Sequence, residues 1–191
     1  VVLGLEVRGV KGPSLMFETS DRNGPIIRHL ALSGAPVRTN SIFFGIYDRL
    51  PFGSNFGHYK RSRPGYNLAF VDGFAYYHTM LDRPDKVSLS SIQHHGEQVL
   101  ALCRYFGSLE QLDREKMYGP NLTYFNLIGS KVILYPPWVD QALLGIALIL
   151  LGLALGTGFT RGALRPSGML SAMGVALVCL ALGAAAAFAA G

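Results

Sequence analysis

The sequence predicts an α/β unit, a mainly parallel sheet covered by helices, followed by two transmembrane α-helices. Strand-like apolar runs, Val1-Val-Leu-Gly-Leu5, Ser14-Leu-Met-Phe-Glu18 and Tyr66-Asn-Leu-Ala-Phe-Val71, alternate with segments whose apolar residues recur at the helical period. Twenty uncharged residues separate Asp140 from Arg161, and no charge follows Arg165 before Gly191. Twenty helical residues at ~1.5 Å each cover the ~30 Å hydrocarbon core of a bilayer.

Taken in order, the run 1–5 reads as a buried parallel strand in mid-fold, which makes the chain look like the C-terminal piece of a longer protein. A second strand follows at 14–18. Asp21-Arg-Asn-Gly-Pro25 is loop chemistry leading into a helix with Ile26, Ile27 and Leu30 on one face. Ile42, Phe43, Ile46, Tyr47 and Leu50 space a further helix, and Leu50–Asn55 a loop. A short helix over roughly 55–61 runs through Pro64-Gly65 to the strand 66–71. Ser90 and Gln93 have the spacing of a capping box, opening a helix whose expected apolar stripe is Ile92, Val99, Leu100, Cys103 and Phe106. Residues 107–137 read as a linker with a hairpin, 123–128 and 131–135, turned at Gly129-Ser130. The organisation expected is thus a sheet unit over 1–106, the linker 107–137, and the membrane segment 138–191.

The expected spans are about 139–159 and 168–190. Tyr135 and Trp138 stand at the entrance to the first, where amphipathic rings favour the interface. The connector carries Arg161 and Arg165 and no acid, so the positive-inside tendency makes it cytoplasmic and puts residues 1 to about 137 on the extracytoplasmic side, periplasmic, extracellular or lumenal. Gly152-Leu-Ala-Leu-Gly156 has the spacing of a close helix contact, although glycine is common in such helices. The formal charge of +5 and the cluster Lys60-Arg61-Ser-Arg63 come with no nucleic-acid reading motif, so no nucleic-acid partner is expected. The cluster is better read as cations at a helix C-terminus. Cys103 and Cys179 fall in different segments and carry no disulfide signature.

His78 lies on the loop Gly73-Phe-Ala-Tyr-Tyr-His78-Thr-Met-Leu-Asp82 that leaves a buried strand, where open α/β sheets place their ligands, and is a candidate metal ligand. His94 and His95 are adjacent on a helix and point about a hundred degrees apart, so capping and packing suit them better than a metal. His29 and His58 have no matching partner.

The motifs Leu5-Glu6-Val-Arg-Gly9, Gly12-Pro-Ser-Leu-Met-Phe-Glu-Thr19, Leu50-Pro51, Asn67-Leu-Ala-Phe70, Tyr77-His78-Thr79, Leu81-Asp82 and Gln93-His-His-Gly96 occur in the order seen in zinc aminopeptidases of metallopeptidase family twenty-eight. Over residues 1–106 the chain resembles the membrane-attached members of that family, of the vacuolar and endoplasmic-reticulum type. The resemblance implies the C-terminal half of a zinc-peptidase domain acting on peptide substrates, with membrane lipid as the other partner. It implies two zinc ions, with Glu6 and His78 as ligands and Tyr77 as a hydrogen-bond donor to the developing oxyanion. Asp82 and Asn55 would stand behind the ligands. The remaining ligands and the glutamate base would lie upstream of Val1, so the chain alone is expected to be inactive.

Zinc accepts carboxylate oxygen and imidazole nitrogen and lowers the pKa of a bound water, which is why such a site needs these residue types. Without the resemblance, Glu6 reads as a strand-end acid paired with a base such as Arg8, and Tyr76 competes with Tyr77 for the site. Two positions depart from the family pattern: Gly4, where asparagine is common, and Asn55, where aspartate is. A catalytically inactive binding module on the same fold is the alternative, and a one-zinc glutaminyl cyclase-like acyltransferase is a third possibility without positive support.

Overall fold

Strand β4 (Gly65–Phe70) is buried along its whole length and carries the sheet. In the computed structural model, which describes residues 1–51 and 53–190 with the side chains of 181 and 183–190 left aside, the chain divides into Val1–Pro137 and Trp138–Gly191. Of the expected loop 50–55, Phe52 lies outside the described residues, and so does Gly191 at the terminus.

In the first unit, β1 (Val2–Val7) pairs in parallel with β4, from Val2 opposite Gly65 to Val7 opposite Phe70. On the other side of β4 lies β2 (Leu15–Thr19), and beyond it the two-residue β3 (Arg38–Thr39), giving the order β1-β4-β2-β3. The sheet is mixed: β1–β4 and β2–β3 pair in parallel, as a mainly parallel sheet requires, but β2 runs antiparallel to β4, with an irregularity between Met16 and Glu18. The cause is the length of the β1–β2 connection. Residues 8–14 are too few for a parallel crossover, which takes about a dozen residues or more, so the chain passes β4 and returns in the opposite sense. β1 pairs on one side only among the described residues, and Val1, Leu5 and Val7 beside that edge are exposed.

Helix α1 (Gly24–Leu32) carries Pro25 in its first turn, where a missing N–H costs nothing, and buries Ile26, Ile27 and Leu30 in the core. Each contributes about 1.5–3 kcal/mol by burial. Helix α2 (Ser41–Tyr47) is capped by Asn40, whose side-chain oxygen accepts from the Ile42 N–H. The short helix expected over 55–61 is one 3-10 turn, Asn55–His58.

Helix α3 (Leu89–Gly107) turns inward only part of the stripe expected: Phe106 is buried and Val99 packs against the core. Ser91, Gln98, Leu102 and Phe106 are buried, whereas Ile92, Leu100 and Cys103 are exposed. Of the two polar residues, Gln98 donates through Nε2 to the carbonyls of Ser14 and Pro36, while its buried Oε1 has no partner among the described residues. The capping box does not form: Ser88 is the N-cap, and Gln93 bonds Glu97 instead. Strands β5 (Thr123–Asn126) and β6 (Val132–Tyr135) make the expected hairpin, and Met117 and Tyr124 join the core of the first unit.

In the second unit, α4 (Trp138–Thr160) is long and apolar enough to cross a membrane, and its side chains are almost all exposed. Gly162, in the left-handed region at φ 68°, ends it, and the Leu164 N–H returns to the Gly158 carbonyl. Helix α5 (Pro166–Ala190) follows, and its fully described apolar part is Pro166–Leu180.

Candidate active-site cavity

The carboxyl ends of β1 and β4 open onto a cavity of about 710 Å³ whose lining includes Glu6, Asn55, Tyr77 and His78. Four of the five residues singled out in the sequence therefore share one cavity. Asp82 does not line it; its backbone N–H bonds the Thr79 carbonyl and its side chain is exposed.

Glu6 leaves the end of β1 with both oxygens held. Arg8 Nε donates to Oε2 at 2.7 Å, and Asn67 Nδ2 approaches Oε1 at 3.4 Å. The Arg8 guanidinium stacks over Phe17 and Tyr47, at 5.5 and 5.0 Å from their centroids, and also donates to the Tyr47 hydroxyl. Burial works against its charge, but the hydrogen bond and charge of Glu6, aided by Tyr47, outweigh that and raise the Arg8 pKa. The Glu6–Arg8 pair weighed as the alternative for this strand-end acid is thus present.

Under Glu6 lies a polar group that the sequence reading missed. Glu18, 1% exposed on β2, accepts from Lys60 Nζ at 3.1 Å, Asn67 Nδ2 at 3.0 Å and Ser54 Oγ at 3.2 Å. Lys60 also bonds Asp48, and these two carboxylates raise its pKa against the opposing effect of burial. For Lys60 the reading as a helix-end cation is thus incomplete, because its partner is a buried acid. A signal was available: Glu18 sits in an apolar strand run, where a charge needs a counter-charge.

Asn67 has one orphan, its buried Oδ1, which faces β1 at Gly4. A Cβ at position 4 would lie 2.5 Å from that oxygen and 3.1 Å from Phe56 Cβ. The departure at Gly4 is accounted for by space: the amide of Asn67 fills the room a side chain would need.

Tyr77 and His78 stack at 3.9 Å between centroids, 21° apart, and Phe74 continues the series 5.6 Å from Tyr77. Tyr77 lines the cavity and Tyr76 does not. His78 has φ 58°, a left-handed conformation costing about 1–2 kcal/mol for a residue with a Cβ. Strain of that kind persists where the surroundings impose it, and it gathers at functional sites.

His94 and His95 point away from this cavity. His94 Nδ1 accepts from the Ser14 N–H at 3.0 Å and Nε2 bonds the Pro36 carbonyl, while His95 Nδ1 bonds Ser14 Oγ and its ring meets Phe70 edge-on. They pack the loop after β1 against α3, which matches the packing role read for them; the capping role does not appear.

A carboxylate and an imidazole are donors of the kind zinc takes, so Glu6 and His78 fit in chemistry. Among the described residues no three His, Cys, Asp or Glu side chains converge, so the set is incomplete in number.

The chain is similar to membrane metallopeptidases. It is 29% identical over 173 residues to endoplasmic reticulum metallopeptidase 1 of Rattus norvegicus, covering 86% of this chain and 18% of that protein. The Homo sapiens protein of the same name is 28% identical over 167 residues, covering 83% and 18%. The vacuolar membrane protease of Lachancea thermotolerans is 28% identical over 131 residues, covering 68% and 14%. The chain thus spans less than a fifth of the length of these curated relatives. They bear out the resemblance to membrane-attached metallopeptidases of family twenty-eight. No family model matches the chain, and no solved structure matches it.

Proposed function

We propose that the whole protein is a membrane-anchored, zinc-dependent aminopeptidase that removes residues from the amino end of peptides. The observation that supports it most is the convergence of Glu6, Tyr77 and His78 on one cavity in a chain similar to membrane metallopeptidases. Glu6 and His78 would each hold a zinc ion, and Tyr77 would donate its hydroxyl hydrogen to the oxygen of the scissile carbonyl as charge develops there. The metal supplies a water of lowered pKa at neutral pH. Arg8 fixes the Glu6 carboxylate from one side and neutralises part of its charge. Asp82 and Asn55 would steady the loops that carry the ligands; asparagine keeps the size of an aspartate but cannot take up a proton. The missing ligands and the base would come from parts of the whole protein outside this chain.

Residues 1–106 are the peptidase part in this reading, 107–137 lead to the membrane, and both α4 and a second span over 168–190 cross it. Arg161 and Arg165 would face the cytoplasm and the peptidase part the lumen or exterior.

The test is the zinc content of the detergent-purified full-length protein and of its His78→Ala variant, beside turnover of unblocked peptides. The expected result is about two zinc ions per chain, falling to one or fewer in the variant. One observation favours a second reading, a peptidase-like binding module: both Glu6 oxygens already have partners. Absence of zinc from both proteins, with no turnover, would sink the enzyme and leave that module as the reading.

A further inference from the structure

We propose that Asn121 carries an N-linked glycan. Asn121-Leu122-Thr123 has the acceptor spacing, asparagine followed two residues later by a hydroxyl residue with no proline between. The motif alone is a short match, and the structure adds two things to it.

First, the acceptor is presented outward from a rigid support. The asparagine is exposed, between the 3-10 turn at Glu115–Met117 and β5. Segment 119–122 is clamped to the start of α1: the Gly119 N–H donates to the Arg22 carbonyl, and Gly119 bridges to the buried Asn23. The Pro120 carbonyl lies so close to Gly24 that no side chain would fit there.

Second, the hydrogen bonding leaves the reacting atom available. Asn121 Oδ1 accepts from the Asn23 backbone N–H at 2.9 Å, and Asn23 Oδ1 in return accepts from the Leu122 N–H at 3.1 Å. This reciprocal pair uses the oxygen of the Asn121 carboxamide. A sugar attached at Nδ2 leaves that oxygen and both hydrogen bonds in place, so the folded unit accommodates the modification.

The co-reactant is an oligosaccharide on a polyisoprenyl pyrophosphate. Nδ2 attacks the anomeric carbon, the bond from that carbon to the pyrophosphate oxygen breaks, and the lipid pyrophosphate leaves with the electron pair as Nδ2 gives up one proton. The placement needed is the lumenal one proposed above, and the relatives named there are eukaryotic and, by name, proteins of the endoplasmic reticulum and vacuole.

The experiment is glycopeptide mapping of the full-length protein made in a eukaryotic host. Glycan at position 121 is expected, abolished in Thr123→Ala and restored in Thr123→Ser, which keeps the hydroxyl. Ile128→Asn is the internal control, because it creates an acceptor with Gly129 and Ser130 on an exposed turn of the same unit. Modification at 128 with none at 121 overturns the proposal through the local geometry. Modification at neither overturns it through the lumenal placement, and the zinc measurement above still stands as a separate test of the peptidase.

Discussion

Gly4 and Asn67 show how one residue can depend on another strand. Gly4→Ala places a methyl group against the Asn67 amide and is expected to destabilise the first unit by about 1–3 kcal/mol. In a Gly4→Ala/Asn67→Ala double variant the two losses should fall short of their sum, because the clash disappears with the amide; additive losses in chemical denaturation would count against the steric account. Lys60→Met leaves Glu18 buried without its cation and is expected to cost roughly 3 kcal/mol, part of which Glu18→Gln in the same background should return. At this scale the sequence was only half legible. Glu6, Asn55, Tyr77 and His78 could be named from motifs, but Glu18, Lys60 and Asn67 owe their proximity to three separate elements, and no local pattern links them.

Among the elements, α3 is held through its histidines. His94 bonds the Ser14 N–H through Nδ1 and the Pro36 carbonyl through Nε2, which holds its ring in place, and His95 has its pKa lowered from 6.5 by burial and by His94. A histidine whose folded pKa lies below its unfolded one contributes stability that is present above the unfolded value and is lost as pH falls toward the folded one. The detergent-solubilised protein should therefore melt at a lower temperature at pH 5 than at pH 7.5, and His95→Asn should shrink that difference; an unchanged difference would remove His95 from the account. Element positions were well marked in the sequence, since strand runs and helical periods are local. The direction of β2 was not, because it follows from the short 8–14 connection and the position of β4 between β1 and β2. The inward face of α3 was only partly legible for a related reason: Phe106 and Val99 follow the apolar pattern, but Gln98 looks like a surface residue until the Ser14 and Pro36 carbonyls are seen waiting for it.

For the whole molecule, the chain divides at Pro137 into two units, the second of which carries a helix long and apolar enough to cross a membrane. Helix α4 is apolar on every face, and Leu148→Arg at its middle should cost about 2.5–3.5 kcal/mol of insertion free energy. Alkaline extraction of membranes is the measurement: the parent should stay in the pellet, and a parent that washes off would rule α4 out as a span. The absence of charge made α4 legible from composition alone as a helix long and apolar enough to cross a membrane. Strand β1 has a consequence of a different sort. Among the described residues β1 pairs on one side only, and its other edge, beside the exposed Leu5 and Val7, is a template on which another copy can add its own strand. The chain prepared by itself should thus grow into soluble aggregates or fibres at high concentration. A lysine at position 5, through Leu5→Lys, should interrupt that growth by setting like charges side by side, an effect that light scattering would register within one concentration series.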